Sequence, residues 1–102
     1  MKIIRELSEC IEDEIRDAKH YAEQALAHKE EYPEVSAVYA KLSEERISAM
    51  SRLHEVVASL IRTYRDKNGE PPAGMLAVYN YLHERHIADT AQVKALQEMY
   101  KR

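Results

Sequence analysis

Helix breakers occur at only two places in this chain, and that confines what it can fold into. The three prolines and one of the two glycines lie in Tyr32-Pro33 and Gly69-Glu70-Pro71-Pro72, and Gly74 follows directly after. Elsewhere apolar residues recur at three- and four-residue steps, the period of a helix with one buried face. The pattern predicts an all-α single domain with helices over about 2–31, 33–67 and 71–101. Proline disfavours helix at the residue before it and suits the first turn after it, so Tyr32-Pro33 marks a turn and a restart. Glu34 then falls where the helix dipole favours an anion. Asp66-Lys67-Asn68-Gly69 carries the residues of a helix C-cap, and Pro71-Pro72 restarts the third helix in its first turn. Asp89 and Gln92 have the spacing of a capping box, so a break near 88–90 is an alternative to a continuous third helix.

Short connections between long helices make antiparallel neighbours, so the first two helices read as a hairpin. Their inward stripes read as Ile4, Leu7, Ile11, Glu14, Ala18, Tyr21 and Ala25 on the first, and Leu42, Arg46, Ala49, Leu53, Val56 and Leu60 on the second. Each stripe has one charged exception. Glu14 lies about 18 residues before the turn and Arg46 about 14 after it, which at roughly 1.5 Å per residue places them at similar height. The expectation is a buried ion pair, Glu14 with Arg46. The third helix presents Met75, Tyr79, Leu82, His86, Val93, Leu96 and Tyr100 at similar spacing. Apolar residues such as Tyr81 and Met99 spread beyond that face. A chain of 102 residues buries a modest core. The surplus predicts a homo-oligomer, a dimer or higher, in which two hairpins complete a four-helix bundle.

Composition excludes several function classes. The 18 acidic and 15 basic residues are interleaved, which argues against nucleic acid or an anionic membrane as the partner, since both need clustered positive charge. No apolar run is long enough to span a membrane, and no signal peptide is apparent. The single Cys10 has no partner for an internal disulfide, which fits a reducing compartment, and a cytoplasmic location is expected. Beside Ile3 on the flank of the first stripe, Cys10 reads as a packed thiol. Ser36, Ser43, Ser48, Ser51 and Ser59 lie inside helices without an assembled base, and no phosphate loop or dinucleotide fingerprint occurs. No catalytic residue is assigned.

The arrangement of Glu14, Tyr21, Leu42 and Leu53 resembles the ferritin-like superfamily, in particular rubrerythrin-type hairpins and small bacterial and phage ferritin-like proteins. The similar region covers roughly residues 7 to 60. The stretch from Gly69-Glu70-Pro71-Pro72 through Tyr79-Asn80-Tyr81-Leu82-His83-Glu84 resembles the C-terminal part of those small proteins. The resemblance implies a di-iron site with one Glu ligand, at Glu14, and a Glu-x-x-His pair on the next helix. Registered on Leu42 and Leu53, that pair falls on Arg46 and Ala49, neither of which binds a cation. These are lost-ligand positions. A one-residue shift puts Glu45 and Ser48 there, still without a histidine.

Three functional readings follow. The favoured one is a non-catalytic ferritin-like binding or scaffold protein without bound metal or other cofactor. A second is an iron-handling or di-metal protein using Glu14, Asp17, His20, Glu45 and His54 in an altered arrangement. A third is a small phage-type inhibitor that binds a host protein or a signalling nucleotide. His83 reads as a surface histidine, His86 as one at the core edge, and His28 as a packing residue.

Overall fold

The computed structural model describes residues 2–102. Three helices account for nearly all of them: α1 (Lys2–His28), α2 (Pro33–Asn68) and α3 (Ala73–Lys101). No strand occurs among the described residues. The molecule is a rod of 56 × 19 × 17 Å, its length set by α2, whose 36 residues rise about 54 Å. No helix among the described residues is long and apolar enough to cross a membrane.

The element borders depart from the expected ones in two places. Helix α1 stops at His28, not near residue 31: the Tyr32 amide donates to the His28 carbonyl at 2.9 Å, and Tyr32 itself is non-helical at φ −131°, ψ 69°, as a residue before proline must be. Helix α3 starts at Ala73, not at Pro71. Pro72 sits at φ −52°, ψ 144°, and its carbonyl accepts from Met75 and Leu76 at 3.0 and 3.1 Å. The prolines thus form the entry to the helix, and Pro71 is buried. Gly69 ends α2 at φ 76°, a conformation that L side chains rarely adopt, with its amide on the Arg65 carbonyl at 2.9 Å. Helix α3 runs through residues 88–90 unbroken. Neither glycine nor proline lies there, and the buried residues His86 and Val93 anchor it on both sides.

The packing of α1 on α2 is written in two buried hydroxyls. Ser36 Oγ donates to the Ala25 carbonyl at 2.5 Å, and Ser43 Oγ donates to the Ala18 carbonyl at 2.7 Å. These bonds step seven residues forward on α2 and seven back on α1, so the helices run antiparallel in a heptad register. Continued, that register pairs Ile11 with Met50 and Ile4 with Val57. The buried line of α1 is Ile4, Ser8, Ile11, Ile15, Ala18, Ala22 and Ala25, an uninterrupted alternation of four- and three-residue steps. Its small members lie toward the turn and face Ser36 and Ser43, where small side chains let backbones approach closely. Its large members lie toward the far end.

The two predicted stripes are therefore rotated from the true core. They share the Ile4, Ile11, Ala18, Ala25 line with it, but Leu7, Glu14 and Tyr21 are only half-buried. On α2 the fully buried residues are Ser36, Ser43 and Met50. Leu42, Arg46, Ala49, Leu53 and Leu60 are half-buried, and Val56 keeps 48% of its surface. The cause is α3. Its Val93 joins Ile11, Ile15, Ala18 and Met50 in the core, and Gln97 Nε2 donates to Ser43 Oγ at 2.9 Å. Helix α3 therefore covers one flank of the α1–α2 pair, and the predicted stripes line the other.

Candidate functional site

On that open flank Arg46 Nη1 lies 3.3 Å from Glu14 Oε2. The expected burial is not reached: the Arg46 and Glu14 side chains keep 36% and 23% of their surface, because no helix covers this side. Glu14 Oε2 is itself shielded from water yet makes no aligned hydrogen bond, so the contact is an ion pair without the directed bonds of a bidentate one. Ala49 lies one turn along α2, half-buried. A hard cation needs oxygen or nitrogen ligands converging from separate elements. A guanidinium only donates and an alanine supplies no donor, so these residues do not fit a di-iron centre.

The other candidate ligands do not converge on Glu14. Asp17, His20 and Glu45 are exposed, and the His20 ring lies against Tyr21 at 5.8 Å. His54 points to the opposite flank. Among the described residues no group of three or more His, Cys, Asp or Glu side chains is placed to hold a metal ion. Cys10, expected to be packed, is exposed, since its flank is the uncovered one. His28 stacks on Tyr39 with centroids 6.1 Å apart, and its Nε2 lies 3.2 Å from Gln24 Oε1. Tyr39 stacks in turn on Tyr21 at 6.0 Å.

A second constellation forms where α3 meets the hairpin. The His54 ring lies 5.0 Å from that of His83 and 5.9 Å from that of His86. His86 is 3% exposed, with Nε2 3.6 Å from Glu12 Oε1, beyond hydrogen-bond reach, so that nitrogen is buried without a bonded partner. Burial pulls the His86 pKa below that of a free imidazole, against the raising influence of Glu12 and Asp89. Burial also lowers His54, helped by repulsion from His83 and His86. These imidazoles separate two cavities, of 320 Å³ toward the far ends of α1 and α2 and of 480 Å³ toward Met50 and Lys94. The three-residue step from His83 to His86 is visible in the sequence; the third member, His54, comes from a different helix and needs the fold to join them.

No protein-family model, curated protein or solved structure matches this chain.

Proposed function

We propose that the chain is a non-catalytic helical binding and scaffold protein, ferritin-like in type and without a resident metal, that works by assembling with a second copy of itself. The observation that carries this reading is the open flank. Val35, Val38, Val56 and Ile3 are exposed there, and Leu7, Leu42, Leu53 and Leu60 are half-buried. Along α2 the stripe follows the three- and four-residue steps of a helix-packing seam. Contiguous apolar surface of this kind marks an interaction site.

The same flank supports a second copy as the occupant. It carries one carboxylate and one guanidinium at the same height, Glu14 and Arg46. A two-fold related hairpin would set each against its opposite, as an isologous interface requires. Two hairpins joined in this way make a four-helix core, with each α3 on the outside. The Arg46 and Ala49 side chains at mid-hairpin support the metal-free part of the reading, through the chemistry of what they are able to donate.

Light scattering tests the assembly: a mass of two chains, or an even multiple, is expected at micromolar concentration, and a monomer would overturn it. Elemental analysis of protein purified without chelators tests the rest. Iron, manganese or zinc near one equivalent per chain would refute the metal-free reading.

A further inference from the structure

We propose that the cavity between the far ends of the three helices binds an apolar monocarboxylate, a linear acid of medium chain length. The cavity, of 320 Å³, is near the lower end of the about 300–1,000 Å³ range of small-molecule sites. It runs beside α2 from His54 to Arg65, a rise of about 16 Å along a helix, so it suits a rod rather than a disc. Ile4, Ile11, Val57, Ile61, Leu76 and Leu82 line its walls. The small and large halves of the α1–α2 register create it. Alanine and serine fill the α1–α2 register near the turn, and isoleucine and valine fill it here.

Charge selects the ligand's head. In a chain with more acids than bases, this lining contains no carboxylate. It contains Arg62 and Arg65, one turn apart at the outer end. Arg65 Nε already holds a carboxylate, that of Glu70 at 3.2 Å, whereas Arg62 has no ion pair among the described residues. The inner end is closed by His54, His83 and His86, of which His54 and His86 are biased toward the neutral form by burial. A guanidinium at the mouth, mostly aliphatic walls and a lining without a carboxylate fit an anionic head on an apolar chain, and disfavour a cationic one. The site is on the α3 side of the hairpin, so it is independent of the assembly face.

Calorimetric titration with decanoate, below its micelle concentration, and with decanol tests this. One decanoate per chain is expected, with decanol at least about tenfold weaker, as loss of a charge-assisted contact implies. Arg62→Gln, a rim substitution that leaves the packing alone, should bring decanoate down to the affinity of decanol and leave decanol unchanged. Ser8→Leu puts a larger side chain into the cavity from α1 and should abolish binding of both, with helicity and melting temperature retained. Absence of decanoate binding to the wild type would overturn the proposal, as would equal affinity for acid and alcohol. Full binding by a folded Ser8→Leu variant would place the ligand elsewhere and overturn it too.

Discussion

Ser43 is the residue on which the three helices meet. Its hydroxyl donates to the Ala18 carbonyl of α1 and accepts from the Gln97 amide of α3, at full burial. Ser43→Ala leaves the half-buried Gln97 amide without its acceptor, and a loss of about 1–2 kcal/mol is expected in urea denaturation, the range for an orphaned polar group. An alanine variant as stable as wild type would mean the hydroxyl is dispensable. Arg46 is a different case. Truncating one member of a fully buried pair costs about 3–5 kcal/mol, but this pair is part-solvated, so Arg46→Ala should cost only about 1 kcal/mol in the isolated chain. Glu44→Ala is the control. Glu44 lies 3.9 Å from Lys101 Nζ with both side chains about half exposed, and a surface change of this sort stays within about 0.5 kcal/mol. Equal effects at the two positions would show that Arg46 contributes no more than a surface charge.

Helix α3 is the element whose attachment is expected to depend on pH, because His54 and His86 lie where it meets the hairpin. The imidazoles of His54 and His86 are depressed in the folded chain, and both face the α2–α3 seam. Between the folded value and about 6.5, the unfolded value, the unfolded chain binds more protons, so stability falls as pH drops through that window and is flat above it. Glu12 from α1 and Asp89 on α3 oppose the shift at His86, His83 reinforces it, and Lys94 lines the neighbouring cavity. Urea midpoints should fall from pH 7.5 to 5.5, and less steeply in His54→Gln; an identical slope in that variant would exclude His54 as a source. The same helix explains what was legible in the sequence. Pro33, Gly69 and Pro72 announce the element borders because they act locally. The Met75 to Tyr100 face of α3 is readable because its residues are large and periodic, and each is at least half-buried. The inward face of the hairpin is not readable in this way. Leu42, Leu53 and Leu60 outrank Ser36 and Ser43 in apolarity, yet the serines lie inside, because a hydroxyl bonded to a helix carbonyl carries little polar cost and lets the backbones close up. Which flank α3 covers, and hence where His54 meets His83 and His86, depends on contacts remote in sequence.

For the whole molecule, the decisive question is whether two open flanks close on one another around Glu14 and Arg46. In a two-fold assembly each carboxylate can meet its own chain's guanidinium and the partner's. Arg46→Glu leaves two carboxylates at mid-flank in every chain, so two copies of this variant repel, as like charges across an interface do. Glu14→Arg does the same with two guanidinium groups. Each single variant should therefore dissociate at concentrations at least about tenfold higher than wild type, with helicity retained because the pair is not in the core. Mixing the two variants sets an all-acidic flank against an all-basic one, and a heterodimer should form from two monomeric samples. Neither the intrachain pair nor a contact through α3 yields that outcome, since neither variant regains its own opposite charge on mixing. Native mass spectrometry of the mixture distinguishes the cases: a heterodimer as the dominant species is expected, and two unmixed monomers would separate the ion pair from the assembly. Val56→Glu, on the same stripe but apart from the pair and 48% exposed, should give a folded monomer that neither charge variant rescues on mixing, because it removes apolar contact without creating a complementary charge.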